Sequence, residues 1–339
     1  MKKQRLLYLD IVRVIAVITV LVCHYTRELE YQSVGFVTKL LPDYPFGVYL
    51  GSLGVSLFFI ISGASLMYVS GEKLKIGTFY KKRFLNIYPM FWIAYLLAFL
   101  YNFWENRGMQ YLYPKSRFLL TLFGMDGYTE WFGANYYLLG EWFLGCLIFL
   151  YLLFPLLRMG TVKYPKQTVV IAAVIYLVGS ILGKMYDGVG MPVQCWFFMR
   201  IPEFLFGMYF VRYIKTVSPP LLVGSLAVLA VTAVVDFRWI GAVHITVVVG
   251  IASFLFLVFV SKYLEFMPIQ KFCGLISKYS YAVFLSHHFL YAKILPHFNG
   301  IVLSRSGVYF TFAICICVIA VVSKLLLWAN DKVLRLRHS

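Results

Sequence analysis

Long runs of apolar residues alternate with short polar segments along nearly the whole chain. A helix that crosses a bilayer needs about 20 predominantly apolar residues. Ten runs approach or reach that length, at 6–26, 46–69, 79–101, 137–157, 167–184, 192–212, 219–236, 240–260, 280–296 and 306–328. The pattern predicts an all-α polytopic membrane protein with about ten transmembrane helices around a central cavity. Residues 1–339 are expected to form a single membrane-embedded domain, with no appended soluble domain.

Composition and charge agree with this interpretation. Hydrophobic residues make up 61% of the 339 residues, charged residues make up 13%, and the mean hydropathy is +0.80. These values exclude a soluble domain of this size. The formal net charge of +17 comes from lysines and arginines scattered through short loops, so no nucleic-acid partner is predicted. Basic residues favour alternate loops by roughly two to one, which predicts a multi-pass protein with both termini in the cytoplasm.

The first apolar run, from Leu6 to Tyr25, contains three ionisable residues: Asp10, Arg13 and His24. Such residues are costly inside a membrane helix, so they indicate a functional site. Arg13 and His24 are close to three helical turns apart, which places them on one face about 16 Å apart along the axis. Asp10 precedes Arg13 by three residues, within reach of an ion pair.

Simpler explanations exist for each part of this run. A basic start before an apolar run is also typical of a signal peptide, but no small-residue cleavage site follows it. An Asp10–Arg13 pair could merely join two helices, and His24 could lie at the membrane surface. The three residues together favour chemistry.

The predicted outer loops 27–45 and 102–136 are longer than the others, and the second is rich in aromatic residues. Aromatic residues near membrane ends usually form the interfacial belt. They also hold sugar rings through apolar faces, although the belt is favoured for most of them. Prolines interrupt several spans but do not occupy matching positions in two halves, which weakens the alternative of a transporter built from inverted repeats.

Five further segments become specific when they are read in order. They are GVSLFFIISG (Gly54–Gly63), FYKKRFLNIYPMFW (Phe79–Trp92), WFLGCLIFLYLLFPLL (Trp142–Leu157), RIPEFLFGM (Arg200–Met208) and SYAVFLSHH (Ser280–His288). Together with Asp10, Arg13 and His24 at their spacing, this set resembles the bacterial membrane acyltransferase family 3. The resemblance covers nearly the whole chain.

The resemblance implies an enzyme of the bacterial plasma membrane. Such an enzyme takes an acyl group, commonly acetyl, from cytoplasmic acyl-CoA and delivers it to a hydroxyl of an extracytoplasmic or lipid-linked glycan. It implies that His24 is catalytic and that Arg13 is essential beside it. The CoA side falls on Lys82 and Arg83; Asn86 stands where the family commonly has a second arginine, which puts that part of the donor contact in doubt.

The residues support acyl transfer independently of the resemblance. Moving an acetyl group from a thioester to an alcohol needs a base, a phosphate-docking site and shielding from water. His24 is the natural base because imidazole titrates near the operating pH. Covalent acylation of His24 remains an equal alternative. The pairs Phe58–Phe59 and Ser62–Gly63 are expected to admit either the donor thioester or a neighbouring helix.

Five other residues, Trp142 among them, are candidates for a supporting or substrate role. Arg200 and Glu203 are three residues apart in mid-span, and they most simply neutralise each other. Glu141, beside Trp142, is expected to orient His24 or a sugar hydroxyl. His287, on the ninth span, falls on the position of the family's late histidine, and the resemblance makes it a candidate for a supporting role. No carboxylate spacing around any histidine indicates a metal site, so no metal cofactor is expected. The resemblance implies acyl-CoA as the donor substrate.

Two rival functions remain. The first is acyl transfer to a small molecule or a peptide. The second is a transporter or flippase that uses the same buried charges as a permeation path. Thioester cleavage that depends on His24 would favour an enzyme, whereas substrate counterflow without acyl consumption would favour transport.

Overall fold

The computed structural model describes residues 5–108, 113–186 and 190–336, so parts of the predicted outer loop 102–136 and of the predicted single domain lie outside the described residues. The described residues are mainly helical. The helices are α1 (Leu7–Tyr31), α2 (Leu50–Ser70), α3 (Ile76–Glu105), α4 (Phe118–Leu122), α5 (Asp126–Thr129), α6 (Glu141–Lys163), α7 (Pro165–Met185), α8 (Ile201–Tyr209), α9 (Pro219–Val234), α10 (Ala242–Ser261), α11 (Met267–Ile294) and α12 (Arg305–Leu336).

The all-α class and the multi-pass character are confirmed. Among the described residues, seven helices are long and apolar enough to cross a membrane: α1, α2, α3, α6, α7, α10 and α12. The helix α9 has 16 residues, and the polar start of α11 lowers its hydropathy. The count of about ten spans and the central cavity stay predictions.

Two span boundaries differ from the sequence prediction. The predicted span 192–212 begins as two 3₁₀ turns, Val193–Cys195 and Phe197–Arg200, before α8 starts at Ile201. Proline has a fixed φ and no N–H, so Pro202 suits the first turn of α8 and favours a helix start there. The helix α11 starts at Met267 rather than near 280, because its first turns are amphipathic and lack the apolar run used to define spans.

The helices fall into two compact units. As far as it is described, the first comprises the chain up to Val20, Pro42–Ile76 and Cys146–Lys278. Its core joins Leu9, Val12 and Ala16 of α1 to residues of α2 and α10. These side chains bury their apolar surface against one another, which holds the N-terminal half of α1 in place.

The second unit comprises Leu21–Leu41, Gly77–Gly145 and the described residues from Tyr279 onwards. Its helices are joined by tyrosines that donate to backbone carbonyls of other helices: Tyr25 to Val308, Tyr281 to Ile87 and Tyr291 to Leu21. A parallel pair of two-residue strands, β1 (Gly35–Phe36) and β2 (Val302–Leu303), also lies in this unit. A buried tyrosine hydroxyl favours a carbonyl acceptor of this kind because a buried hydroxyl without a hydrogen bond costs free energy.

In the first unit, α2 and α8 cross at two glycines. A Cβ added to Gly63 would overlap the carbonyl oxygen of Phe204, and a Cβ added to Gly207 would overlap the carbonyl oxygen of Ile60. Small residues let two helix backbones approach closely in a membrane protein. The expectation that the Ser62–Gly63 region admits a neighbouring helix is therefore confirmed at Gly63.

We expect Gly207→Ala to destabilise the first unit by about 1–3 kcal/mol, because the added methyl group meets backbone that cannot rotate away. Thermal unfolding of the protein in detergent would measure this. Gly224→Ala is the matched control, since Gly224 lies in α9 with nothing within 4 Å of an added Cβ. Equal melting temperatures for Gly207→Ala and the control would contradict the crossing.

Candidate active site

The helix α1 carries Asp10, Arg13 and His24 as one continuous helix. Near its start, Nη1 of Arg13 donates to Oδ1 of Asp10 at 3.3 Å, which confirms the predicted pair. Arg5 also donates to both oxygens of Asp10, with Nη2 3.0 Å from Oδ1. The buried Asp10 carboxylate is therefore neutralised by two guanidinium groups. Arg5 was missed because it precedes the helix, so helical spacing does not relate it to Asp10.

His24 lies in the second unit, beside a carboxylate and two other histidines. Its Nε2 is 3.5 Å from Oε2 of Glu141, which is the first residue of α6. The rings of His287 and His288, both on α11, lie edge-on to the His24 ring at centroid distances of 5.0 and 5.3 Å. The structure thus brings together His24, Glu141 and His287. The sequence predicted that Glu141 orients either His24 or a sugar hydroxyl, and it did not connect His287 with either residue.

Glu141 faces both His24 and His287, because its Oε1 lies 3.6 Å from Nε2 of His287. On its other side, Nδ1 of His287 lies 2.8 Å from the carbonyl oxygen of Phe284 and 3.1 Å from that of Val283. A carbonyl only accepts hydrogen bonds, so we assign the proton of neutral His287 to Nδ1. Its Nε2 then turns a lone pair towards a carboxylate oxygen. A proton or a cation between the two atoms would make that contact attractive.

The same three residues could hold a metal ion. One ligand atom from each of His24, Glu141 and His287 lies within 4.8 Å of the others. Two imidazoles and one carboxylate are a common set of zinc ligands. The hydrogen bond from His287 to a backbone carbonyl is also typical of histidines that bind metals. The sequence-based expectation of no metal stays a prediction.

The backbone at Glu141 is unusual. Its φ is +21°, and the preceding Gly140 has a φ of +95°. A residue with a Cβ rarely adopts positive φ, and such strain clusters at functional sites. The strained start of α6 directs the Glu141 side chain towards the two imidazoles. The positive end of the α6 dipole also favours a carboxylate at this position.

The short helix α5 packs against the start of α6 and supports Glu141. A Cβ added to Gly127 would lie 2.6 Å from the carbonyl carbon of Glu141, so only glycine permits this approach. The next residue, Tyr128, lies similarly close to Gly145, one turn further along α6. Two glycines therefore allow α5 to lie directly on the first turn of α6.

Asn135 ties α5 to the segment that leads into α6. Its Nδ2 donates to the carbonyl oxygen of Asp126 at 2.9 Å, and its Oδ1 accepts from the backbone N–H of Tyr137 at 3.0 Å. The predicted outer loop therefore has a structural task besides any aromatic belt. Sequence analysis missed this support, since nothing in the spacing relates Gly127 or Asn135 to Glu141.

The other candidates of the second unit lie on α3 and α6. Trp142 follows Glu141 in the first turn of α6 and packs against Phe143, with ring centroids 6.5 Å apart. Lys82 is exposed near the start of α3. Arg83 is half-buried, with its guanidinium over the ring of Phe79 at 5.9 Å. The roles of Lys82 and Arg83 in binding the acyl-CoA donor and the supporting role of Trp142 stay predictions.

The remaining candidates lie in the first unit. Nη1 of Arg200 donates to Oε1 of Glu203 at 3.0 Å with both side chains fully buried, so the predicted pair is confirmed. Arg200 also donates to the carbonyl oxygen of Gln194 and lies 5.8 Å from the ring centroid of Phe59. Phe59 is fully buried and Ser62 is half-buried on α2. The cation–ring contact gives Phe59 a packing role, and donor contact by Phe59 or Ser62 stays a prediction.

Comparison with known proteins agrees with the resemblance noted in the sequence. A family model described as an acyltransferase domain, that of the acyltransferase 3 family, matches residues 6–329. This range includes His24, Glu141 and His287. The chain belongs to the acyltransferase 3 family.

One curated acyltransferase is similar to the chain over part of its length. Acyltransferase MdmB of Streptomyces mycarofaciens is 26% identical over 228 residues, covering 59% of this chain and 55% of the relative. The chain thus spans about half the length of that member. No solved structure gives a significant match.

We expect Gly127→Ala to lower kcat by about 10- to 100-fold, because a displacement of about 1 Å at a catalytic group can cost that much. The added methyl group would meet the backbone of Glu141 and displace this residue from its position beside His24. The measurement is acyl transfer by the purified variant. Gly77→Ala is the control, as an added Cβ at Gly77 meets nothing within 4 Å. Unchanged kcat in a folded Gly127→Ala protein would show that α5 does not position Glu141.

Asp126 predicts a pH dependence of stability. Both of its carboxylate oxygens are buried without a well-formed hydrogen bond among the described residues. Burial raises the pKa of Asp126 to about 6, and the Thr121 hydroxyl only partly offsets this. As the pH rises from about 4 to 6, the unfolded chain loses this proton before the folded protein does, at a cost of about 1.4 kcal/mol per pKa unit. Stability should therefore fall over that range.

The variant Asp126→Asn cannot ionise, so this part of the pH dependence should disappear. Melting temperatures of both proteins in detergent at pH 4.5 and pH 7.5 would test this. We expect the difference, variant minus wild type, to be more positive at pH 7.5. The same difference at both pH values would contradict the raised pKa of Asp126.

Proposed function

We propose that this protein is a membrane O-acyltransferase. It moves an acetyl or another short acyl group from cytoplasmic acyl-CoA to a hydroxyl of an extracytoplasmic or lipid-linked cell-surface polysaccharide. Membership of the acyltransferase 3 family supports the reaction class. The observation that carries the proposal is the placement of one carboxylate, Glu141, against the imidazoles of His24 and His287.

In this proposal, His24 is the general base. A proton on Nε2 of His24 faces Glu141, which leaves the lone pair of Nδ1 for the acceptor hydroxyl. The hydroxyl gives its proton to Nδ1 while its oxygen attacks the thioester carbonyl, and the C–S bond breaks as the new ester C–O bond is retained. The CoA sulfur leaves as a thiolate and takes up the proton that Nδ1 of His24 received from the hydroxyl. Glu141 stabilises the transient imidazolium by its negative charge.

The donor side of the proposal rests on the cations. The phosphates of acyl-CoA bind Lys82 and Arg83 near the start of α3, since clustered cations hold phosphate groups. Arg13 assists on the donor side, with its charge held in place by Asp10. The acyl donor is the only cosubstrate that the proposal requires, and no metal ion takes part. The protein would act in the bacterial plasma membrane with both termini in the cytoplasm.

His24→Ala should lower acyl transfer by about 10²–10⁴-fold, the usual contribution of a general base. The assay follows free CoA and labelled product in membranes supplied with acetyl-CoA labelled on its acetyl group and a cell-wall glycan extract. Glu141→Gln should also lower the rate of acyl transfer, by a smaller factor, because the neutral amide cannot stabilise the imidazolium by charge. His297→Ala is the control, since His297 is exposed outside this cluster.

Equal CoA release by wild type and His24→Ala, across acetyl and other acyl donors, would refute the catalytic assignment. Counterflow of a glycan precursor without CoA release would favour a transporter. Label recovered in a small molecule or peptide rather than in glycan would correct the acceptor class. Each result names the function that replaces the proposed one.

A further inference from the structure

A groove of about 590 Å³ runs along one side of the second unit, between α3 and α4. Its walls are mainly apolar and include Trp92, Leu96 and Phe99 of α3 together with Phe118 and Leu122 of α4. Trp92 donates from its ring N–H to the carbonyl oxygen of Leu122 at 3.0 Å, which joins the two walls. The volume lies in the range of small-ligand pockets, about 300–1,000 Å³.

The groove is open rather than buried. Leu96 is 56% exposed, and Phe118 is 50% exposed. These residues lie in the C-terminal half of α3, which leads into the predicted outer loop 102–136, and in α4 within that loop. A hydrocarbon chain in the outer leaflet could therefore enter the groove sideways, without crossing polar protein surface.

A single cation, Lys115, lies in the described lining of the groove. Lys115 is exposed, and no carboxylate belongs to that described lining. A lysine ammonium in the lining of an apolar groove matches an anionic group attached to a hydrocarbon chain, and phosphate is the usual partner of such a cation. The groove by itself would fit any lipid phosphate.

A second, more polar cleft adjoins the groove and narrows the choice among lipid phosphates. It has a volume of about 180 Å³ and shares Tyr95, Phe99 and Tyr136 with the groove. Hydrogen bonds hold the shared wall in place. The hydroxyl of Tyr95 donates to the backbone carbonyl oxygen of Tyr136, and the hydroxyl of Tyr136 donates to the backbone carbonyl oxygen of Tyr113 at 2.7 Å. The wall between the two cavities is therefore well defined.

The polar cleft carries the groups that recognise sugars. Aromatic rings of tyrosine and phenylalanine line it together with the side-chain amides of Asn102 and Asn135. Oδ1 of Asn102 is buried, and no described residue donates a hydrogen bond to it. A buried acceptor without a donor costs free energy, which a hydroxyl of a bound sugar would recover. Tyr137, also in the lining, is followed four residues later by Glu141, so the cleft lies on the segment that leads to the candidate site.

We propose that the groove and the cleft together bind a lipid-linked saccharide, which is the acyl acceptor. The hydrocarbon chain lies in the apolar groove, the phosphate next to the chain binds Lys115, and the sugar lies between the tyrosines and asparagines of the cleft. A plain phospholipid would fill the groove but leave the cleft empty. The inference rests on the proposed function and narrows its acceptor to the lipid-linked form.

The test uses the full chain in nanodiscs and a photoreactive probe, farnesyl diphosphate-linked N-acetylglucosamine with a diazirine on the farnesyl chain. We expect labelling in peptides that contain residues 92–99 and 115–122. The unlabelled lipid-linked sugar should compete, and an equal amount of phosphatidylglycerol or of free N-acetylglucosamine oligosaccharide should not. Lys115→Gln should lower the affinity for the probe, read from labelling at increasing probe concentrations, by about tenfold, as expected for one charged hydrogen bond.

Two matched pairs of variants locate the binding. Leu96→Trp fills the groove and should remove most of the labelling, whereas Leu97→Trp should not, since Leu97 is 53% exposed but does not line the groove. Lys184→Gln is the control for Lys115→Gln, because Lys184 is an exposed lysine away from this lining. A folded Leu96→Trp protein that keeps full labelling would overturn the proposal.

Competition by phosphatidylglycerol as strong as that of the lipid-linked sugar would also overturn it and assign the groove to bulk lipid. Equal competition by the free oligosaccharide would show that the acceptor needs no lipid. CoA release that depends on His24 is measured separately in every variant. Failure of that release would refute the proposed function, while the labelling results would still decide whether the lipid-linked sugar binds.

Discussion

One carboxylate shared by two imidazoles is the constraint on which the rest of the second unit depends. Glu141 faces Nε2 of His24 on α1 and Nε2 of His287 on α11, at 3.5 and 3.6 Å. The backbone hydrogen bond of His287 assigns the proton of its neutral ring to the far nitrogen, so a proton or a cation between Nε2 and Glu141 would make the near contact attractive. Charge placed in such a buried cluster is costly unless it is compensated on all sides. Small displacements of any of these three side chains would therefore cost free energy.

The surrounding structure restricts those displacements. The glycines of α5 and α6 let α5 lie directly on the first turn of α6, and Asn135 ties α5 to the segment before Glu141. Tyr291 donates to the backbone of α1 near His24, which links α11 to α1. These contacts hold side chains from three different helices at one point. They also explain why a residue with positive φ is tolerated at Glu141, since packing around it over-determines its conformation.

Much of the fold and the separate members of the site could be predicted from the sequence. Apolar runs indicated the helices because helix length and hydropathy are local properties of the chain. The pairs Asp10–Arg13 and Arg200–Glu203 followed from a spacing of three residues, and both are present. Arg5 did not follow, because it lies before α1 and reaches Asp10 only through the path of the preceding backbone. The start of α11 was predicted 13 residues too late because its first turns are amphipathic.

What the sequence alone determined is therefore the class of protein, most of its helices and the ionisable residues worth examining on each of them. These depend on composition and on helical periodicity, which need no knowledge of packing. The tertiary structure alone decided that His24, Glu141 and His287 meet, although the first and last are 263 positions apart in the numbering. It also decided that the segment between α3 and α6 supports Glu141 while lining two adjoining cavities. Contacts between distant segments depend on how helices pack against one another, and helical spacing along a single segment carries no information about that packing.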